Sequence, residues 1–308
     1  MTTSPGKPPG RDGGLEPKSA RECGADPTVH PFLMTPARAF GRPICRLGLA
    51  SYGRTAITVD DVLSAVGRGV NFLNWQGLAE GPTPGDAFTA AVVELGANRP
   101  SVVVCAQFGA RTVAEAAAEL RAVLALLGTD YIDVLTLYYI ERQEEWDEIA
   151  ATGGALGYLR DAKREGTVRR IGITSHQRRL AAKVATTGLL DCLMVRYNAA
   201  HRGAETDVFP VTQPLALPVI AYTALRWGAL PRPTPDDPPG FAVRRPPAWY
   251  RFALQHPAVA VTLAAPQTRA ELDEDLRVLD ATGPLAEEEF ATLVSHGERV
   301  RKHAGAFA

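Results

Sequence analysis

The chain has 308 residues, of which 46% are hydrophobic and 22% charged, and its formal net charge is -1. These proportions are typical of a globular protein and exclude a coiled coil, a collagen-like fibre and a wholly disordered chain. The 33 basic residues are balanced by 34 acidic ones. Because no excess of positive charge is available to neutralise phosphates, we expect no nucleic acid partner.

The first part of the chain differs in composition from the rest. Residues 1–40 are rich in proline, glycine and charge and lack hydrophobic periodicity, which predicts a flexible tail followed by a single domain over 41–308. No apolar run reaches the length of a membrane span and no secretory signal is present, so we expect a cytoplasmic protein without a membrane partner. The four widely spaced cysteines indicate neither a disulfide framework nor a metal site.

Eight short apolar segments alternate with longer segments of helical periodicity. The predicted strands are ICRLGLASY, VNFLNW, SVVVCAQF, YIDVLTLYY, VRRIGIT, DCLMVRY, LPVIAY and VAVTLA. Strands that are apolar on both faces and separated by helices pair in parallel, with right-handed crossovers. Eight such units predict an α/β fold of the (β/α)8 TIM-barrel class. A doubly wound open sheet is the alternative, although GLASYG lacks the spacing of a Rossmann phosphate loop.

Capping signals and composition locate several of the connecting elements. A cap at Thr58 followed by acidic residues predicts a helix after it, and the stretch 112–127 is rich in Ala, Leu and Glu. The proline-dense segment 231–247 predicts a long loop over the C-terminal mouth of the barrel. The segment LAEEEFATLVSHGERVRKH predicts a C-terminal helix packed on the outside.

Polar and aromatic residues gather where the predicted strands end, which is where barrels of this class carry their chemistry. Few of these residues are charged, a composition that suits a small organic ligand with carbonyl or hydroxyl groups. The candidates are Asn74, Trp75, Gln107, Tyr138, Glu141, Ser175, His176, Arg196, Tyr197, Tyr222, Arg226 and Trp227. Because successive strand residues point to opposite faces, only one of Tyr138 and Tyr139 can face the lumen.

The order of these motifs resembles the aldo-keto reductase superfamily over nearly the whole predicted barrel. RLGLASYG, GVNFLN and LLGTDYIDVLTLYY resemble its first, second and fourth strands. REGTVRRIGITS, MVRYNAAHRGAE and PVIAYTAL resemble its fifth, sixth and seventh. HPAVAVTLAAPQTRAELDEDL resembles the last unit, where the family binds the adenosine phosphate. The resemblance implies the barrel fold and favours Tyr138 as the inward-facing tyrosine.

The catalytic residues of that family are not found at the matching positions. The family reduces carbonyls with NADPH through an Asp, a Tyr, a Lys and a His, and the resemblance aligns these with Asn74, Ala79, Gln107 and Tyr138. Loss of the Lys together with the Asp removes a buried ion pair and leaves two amides that can hydrogen bond to each other.

The cofactor positions implied by the resemblance are only partly kept. Tyr222 stands where the family stacks an aromatic ring on the nicotinamide, and Arg226 lies beside the pyrophosphate position. In the family a Ser-Asn pair holds the nicotinamide amide, and this chain has Ser175 and His176 at those positions. Asp275, in the last unit, is expected to repel a 2′-phosphate. We therefore expect either no cofactor or NADP.

Three functions follow as alternatives. The first is non-redox acid–base chemistry (dehydration, cyclisation, isomerisation or lyase cleavage), with Tyr138, His176 and Glu141 as acid and base and Asn74 and Gln107 binding oxygen. In this hypothesis Trp75, Arg196, Tyr197 and Trp227 line the substrate, and Ser175, Tyr222 and Arg226 bind cofactor only if NADP is retained. The second is an NADPH-dependent carbonyl reductase with a rearranged active site, and the third is a non-catalytic binding or scaffold protein.

Overall fold

The computed structural model describes residue 1, residues 29–51, 55–79 and 86–303, and residue 305. Within these ranges eight parallel strands close into a barrel, in the spatial order β10-β3-β4-β5-β6-β7-β8-β9. The strands are β3 (Leu47–Ala50), β4 (Phe72–Trp75), β5 (Val103–Phe108), β6 (Val134–Leu137), β7 (Ile171–Ser175), β8 (Cys192–Arg196), β9 (Val219–Tyr222) and β10 (Val259–Ala264). The predicted (β/α)8 barrel is confirmed, and the open doubly wound sheet is wrong.

Helices follow the barrel strands, apart from α1 (Ala37–Phe40), which precedes the first of them. The others are α2 (Val59–Gly67), α3 (Ala87–Glu94), α4 (Val113–Leu127), α5 (Gln143–Ala150), α6 (Ala155–Glu165), α7 (Arg178–Ala185), α8 (Ala204–Asp207), α9 (Phe209–Thr212), α10 (Pro246–Gln255), α11 (Arg269–Leu276) and α12 (Glu287–His303). Short 3-10 segments lie at Pro31–Leu33, Gly96–Ser101 and Arg277–Asp280. The helix predicted near the C-terminus is α12. No helix in the described ranges is both long and apolar enough to span a bilayer.

Local capping explains where the predicted helices begin. Thr58 and Asp61 form a reciprocal capping box at α2, because each side chain accepts a hydrogen bond from the other residue's backbone N–H. Thr112 and Glu115 do the same at α4. These contacts satisfy N–H groups that the first helical turn leaves without a partner.

Strand alternation divides the interior into two cores. One surrounds the barrel between strands and helices, and the other fills the lumen. Along β4, Phe72 belongs to the lumen core and Leu73 to the surrounding core, as the two-residue period of a strand requires. The buried lumen residues are Phe40, Ile44, Phe72, Val103, Cys105, Val134, Cys192, Met194, Ile220, Val261 and Leu263.

The segment just before the barrel is ordered, which corrects the predicted tail boundary at residue 40. The short strands β1 (Met34–Thr35) and β2 (Ile44–Cys45) pair antiparallel. The Phe40 side chain is 3% exposed, and its ring lies edge-on 5.3 Å from that of Phe72 in the lumen. Burial of this ring orders a segment whose composition alone indicated flexibility. The remainder of the predicted tail, residues 2–28, lies outside the described residues.

A buried ion pair network joins neighbouring strands. Asp133, 2% exposed, lies 2.9 Å from an Arg99 guanidinium nitrogen and 2.8 Å from one of Arg169. It also accepts a hydrogen bond from the Val104 backbone N–H at 3.0 Å. Arg99 and Asp133 are both almost wholly buried, whereas the Arg169 side chain is 41% exposed. Removal of Asp133 would therefore leave the Arg99 charge buried and uncompensated.

The proline-dense segment forms a loop up to residue 245, after which α10 begins, and its polar contacts anchor it to α12. Asp237 accepts hydrogen bonds from Arg299 at 2.7 Å and from the Thr234 backbone N–H at 2.7 Å. The ring of His296 lies between the Asp237 carboxylate at 2.9 Å and the Leu230 carbonyl at 3.1 Å. The sequence therefore predicted the loop without indicating what holds it.

Candidate active site

A chain of neutral side chains crosses the upper lumen of the barrel. Gln107 on β5 donates through Nε2 to Asn74 Oδ1 at 2.9 Å, and the Thr174 hydroxyl donates to Gln107 Oε1 at 2.8 Å. Met194 Sδ lies 3.3 Å from the same Gln107 nitrogen. Asn74 is 7% and Gln107 3% exposed. The hydrogen bond expected between the two amides is present.

Four aromatic rings follow one another at the mouth. The Tyr138 and Tyr139 rings are 4.1 Å apart, the Tyr139 ring stacks on His176 at 4.2 Å, and His176 meets Tyr222 edge-on at 5.9 Å. The expectation that the two tyrosines point to opposite faces is wrong. Strand β6 ends at Leu137, and Tyr139 has a left-handed φ of 42°. The strand alternation therefore does not extend to Tyr139, which joins the site.

His176 and Glu141 form the polar pair of this mouth. His176 Nδ1 lies 3.3 Å from Glu141 Oε1, and the His176 backbone N–H donates to the same oxygen at 2.8 Å. Partial burial favours a higher pKa for Glu141, but the hydrogen bonds from His176, together with that from Gln177, hold its pKa below the ordinary value. The carboxylate is thus kept ionised against the imidazole, which is the arrangement of an acid–base dyad.

The dyad opens onto a cavity beside the barrel mouth. Its volume is about 520 Å³, and its wall includes Glu141, His176 and Gln177 together with the first turn of α7. The His176 side chain is 26% and the Glu141 side chain 30% exposed. A small ligand in this cavity can therefore reach the imidazole directly.

Ser175 and Tyr222 lie next to the His176–Glu141 dyad. The Tyr222 hydroxyl donates to the Ser175 carbonyl at 3.3 Å, and the Ser175 hydroxyl oxygen accepts from the Gln177 backbone N–H at 3.0 Å. Burial, followed by the field of Tyr139, raises the pKa of Tyr222 above its ordinary value. The Tyr222 ring is thus a neutral platform beside His176.

Two arginines lie at the C-terminal ends of neighbouring strands, Arg196 at the end of β8 and Arg226 shortly after β9. Arg196 ends β8 directly opposite Tyr222 on β9. Arg226 is 3% exposed and donates through Nη2 to the Gly305 carbonyl at 2.9 Å. Its guanidinium carbon lies 5.0 Å from the centre of the Trp227 ring, and that ring is 56% exposed. Trp227 is therefore not enclosed in a ligand pocket as the sequence suggested.

Two of the predicted substrate-binding residues face away from the lumen. Trp75 is 4% exposed, belongs to the core around the barrel, and donates through Nε1 to Asp86 at the start of α3. Tyr197 is 1% exposed, packs edge-on against Phe209 at 5.0 Å, and donates to Glu205 at 2.7 Å. Each follows a residue that faces the lumen, so strand alternation turns it towards the helices. Their assignment to the substrate site is wrong.

Sequence reasoning missed Thr174 and Tyr139. Thr174 lies two residues before His176 and two after Gly172, so the two-residue period of β7 could have placed it in the lumen. No comparable pattern identifies Tyr139. A left-handed backbone conformation is rare for an aromatic residue, and no neighbouring residue in the sequence predicts it.

The end of the barrel where the family resemblance puts the adenosine phosphate is acidic and internally paired. Arg269 lies 2.9 Å from Asp61 and 2.9 Å from Asp273. Asp275 is 3% exposed, and burial raises its pKa to about 7 while a hydrogen bond from Tyr250 acts in the opposite direction. Asp275 therefore lies inside the protein, which corrects the expectation that it faces a 2′-phosphate.

Comparison with known proteins places this architecture among characterised relatives. The sequence model of the aldo/keto reductase family matches residues 90–247. A curated relative from Escherichia coli (strain K12), named NADH-specific methylglyoxal reductase, is 28% identical over 134 residues, which are 43% of this chain. The matched region spans 40% of the length of that relative.

Solved structures of low sequence identity share the fold. The holo form of an aldo-keto reductase from Bacillus halodurans superposes with a TM-score of 0.67 at 19% identity, covering 82% of this chain and 92% of that one. An aldo-keto reductase from Klebsiella pneumoniae in complex with NADPH superposes with a TM-score of 0.68 at 18% identity, covering 83% and 92%. At such identities the likeness establishes the fold alone.

Proposed function

This chain belongs to the aldo/keto reductase family, and on that premise we propose that it reduces a small carbonyl compound with NADH, using His176 as the proton donor. The observation that carries the proposal is the His176–Glu141 pair, which stands beside the Tyr222 ring at the open mouth of the barrel. The remaining residues of the site determine which cofactor suits it and how a substrate oxygen is held.

The residues at the mouth suit the nicotinamide end of a dinucleotide. Tyr222 offers a half-buried aromatic face, and the Ser175 and His176 positions adjoin it. The opposite end suits an adenosine without a 2′-phosphate, because the guanidinium of Arg269 is already shared between Asp61 and Asp273. A phosphate there would meet net negative charge. The fit therefore favours NADH over NADPH, in line with the name of the Escherichia coli relative.

The acid–base step is assigned to the dyad. NADH, when bound beside Tyr222, would supply the hydride that the carbonyl carbon requires. The protonated His176 gives its Nε2 proton to the carbonyl oxygen, which becomes the product hydroxyl. Glu141 holds the imidazole through Nδ1, so that Nε2 is the nitrogen directed to the substrate.

The amide network supplies a neutral binding group for the substrate oxygen. Since Asn74 Oδ1 accepts from Gln107, the Asn74 amide nitrogen is directed away from Gln107 as a donor. The Thr174 hydroxyl fixes this orientation, because it donates to Gln107 Oε1 and leaves Nε2 for Asn74. A donor held in this way stabilises negative charge on a carbonyl oxygen without reorganisation.

Non-redox chemistry, the first alternative of the sequence analysis, receives no support from the comparisons. Both the family and the relative with a stated activity are reductases, which favours the reductase alternative. The site itself is compatible with either, because an acid–base dyad serves both. Binding of NADH is therefore the measurement that separates them.

The test combines cofactor binding with turnover. We expect NADH to raise the melting temperature and quench tryptophan fluorescence at micromolar concentration, with NADPH at least about tenfold weaker. Methylglyoxal is the first substrate to assay, by the loss of NADH absorbance. Absence of any effect of NADH on stability, fluorescence or absorbance would contradict the proposal and favour the non-redox alternative.

Two variants separate proton donation from binding. His176→Asn introduces the residue that the family resemblance implies at this position, so cofactor affinity should change by less than about threefold while turnover falls by about 10² to 10⁴. Arg121→Gln, on the exposed side of α4, is the control and should match the wild type. If His176→Asn kept full turnover, the proton donor would have to be another residue.

A further inference from the structure

An arginine that does not belong to the dyad is built into the neighbouring loop. Arg111 lies shortly after β5, and its backbone N–H donates to Glu115 Oε2 at 2.9 Å, at the capping box that begins α4. Its guanidinium donates through Nη1 to the Gly109 carbonyl at 3.0 Å. The side chain is therefore fixed to the loop that carries it.

The same guanidinium crosses to the loop that follows β6. Arg111 Nη2 donates to the Tyr138 carbonyl at 2.6 Å, and Nε donates to Glu145 Oε1 at 2.8 Å. The other oxygen of that carboxylate, Oε2, accepts a hydrogen bond from the Glu141 backbone N–H at 3.0 Å. Arg111 and Glu145 thus hold both ends of residues 138–141, which we call the mouth loop.

The mouth loop contains Tyr139, whose φ of 42° is left-handed. Such a conformation persists in a non-glycine residue only where the surrounding contacts fix it. The peptide group before Tyr139 is held by Arg111 at the Tyr138 carbonyl. The peptide group after it is held by the Ile140 N–H, which donates to the Thr174 carbonyl at 2.9 Å. Arg111 therefore supplies a contact that this conformation needs.

Two contacts of His176 come from the mouth loop. The Tyr139 ring stacks on the imidazole with the ring centres 4.2 Å apart, and Glu141 Oε1 lies 3.3 Å from His176 Nδ1. One contact fixes a face of the imidazole and the other fixes an edge. Because both come from the same short segment, a displacement of the mouth loop would turn the imidazole.

We infer that Arg111, together with Glu145, is a positioning residue that holds the mouth loop so that His176 Nε2 faces the substrate. Arginine suits this task because its planar guanidinium presents its donors in a rigid fork, which here meets a carboxylate and two carbonyls. The inference rests on the proposed function for its effect on turnover, whereas the orientation of the imidazole is a property of the protein alone.

The imidazole C–H resonances of His176 report this orientation without cofactor or substrate. The ring current of an aromatic side chain shifts protons above its face upfield, so stacking on Tyr139 should give His176 upfield-shifted signals. His176→Asn removes these signals and so assigns them among the six histidines. Arg111→Gln should move them downfield, towards the position of an exposed histidine.

Arg251 on α10 offers a matched control. Its guanidinium donates to two carbonyls between α11 and α12, at 3.1 and 2.8 Å, and lies 3.6 Å from Glu289. The Arg251 side chain is 20% exposed and that of Arg111 is 28% exposed. Arg251→Gln therefore removes the same charge and the same kinds of contact away from the mouth, and it should leave the His176 signals unchanged.

In turnover, the inference predicts a lower kcat with little change in KM. Arg111→Gln should reduce kcat for NADH-dependent reduction by about 10- to 100-fold, the effect of misplacing a reacting group by about 1 Å. KM and the affinity for NADH should change by less than about threefold. Glu145→Gln should act in the same direction, and the double variant should be no worse than Arg111→Gln, because both residues act through one loop.

The outcomes separate this inference from the proposed function. Unchanged His176 signals in folded Arg111→Gln, or a kcat no lower than that of Arg251→Gln, would overturn the inference. If Arg111→Gln does not fold, Glu145→Gln, which keeps the size of its side chain, decides on the same signals. Displaced signals in a protein without NADH-dependent reduction would contradict only the proposed function.

Discussion

The buried amide pair at the centre of the barrel offers the sharpest test of the site geometry. Gln107 is 3% exposed and makes hydrogen bonds of 2.9 Å to Asn74 and 2.8 Å to Thr174. Gln107→Lys places an ammonium group between two neutral neighbours in a dry environment. We expect this single variant to lower the free energy of unfolding by about 3–5 kcal/mol, the usual cost of an uncompensated buried charge.

Asn74→Asp in the same protein supplies the missing carboxylate. Since the Gln107 nitrogen and the Asn74 oxygen are 2.9 Å apart, the new pair can form without movement of the backbone. We expect the double variant to be more stable than the sum of the single effects predicts, with a coupling energy of at least about 2 kcal/mol. Gln107→Met provides the uncharged control, and we expect it to cost about 1–3 kcal/mol because the Thr174 hydroxyl and Asn74 lose their partner.

Equilibrium unfolding in urea, followed by circular dichroism, measures the stability of all five proteins, which are the wild type, Gln107→Lys, Asn74→Asp, the double variant and Gln107→Met. A coupling energy close to zero would mean that the two side chains do not touch in solution. A cost below about 1 kcal/mol for Gln107→Lys would mean that water reaches the lumen at this depth. Either result would refute the dry, hydrogen-bonded network on which the orientation of the Asn74 amide depends.

Three further predictions concern stability. Asp133→Ala should cost about 3–5 kcal/mol because it leaves Arg99 buried without its carboxylate, and Arg99→Met in the same protein should recover part of this in urea unfolding. Gly172→Ala should lower stability by about 1–3 kcal/mol, because its new Cβ would lie 2.5 Å from Cys192 Sγ; an unchanged melting temperature would contradict this packing. Burial alone would raise the pKa of Asp237. Hydrogen bonds, of which that from the Thr234 backbone N–H is the strongest, outweigh burial and lower this pKa from 3.8, the value of an unperturbed Asp, to about 2. Its contribution is therefore present above about pH 4 and lost as the pH falls towards 2, so the stability difference between wild type and Asp237→Asn should shrink over that range.

The two-residue period of the strands explains both the success and the errors of the sequence analysis at the site. It correctly indicates that Asn74 and Trp75, or Arg196 and Tyr197, point to opposite faces. It does not indicate which member of each pair faces the lumen, since both are plausible ligands by residue type. Only the closed barrel assigns Trp75 and Tyr197 to the surrounding core, where hydrophobic burial stabilises them.

The sequence by itself determined the eight strands, the capped helices and the family, because hydrophobic periodicity, capping boxes and motif order are local properties of the chain. It also indicated that Asn74 and Gln107 could hydrogen bond. Only the tertiary structure decided that Tyr139 joins His176 in the mouth and that Asp275 is buried. Both depend on a backbone conformation or a packing partner contributed by distant parts of the chain, and no local pattern specifies either.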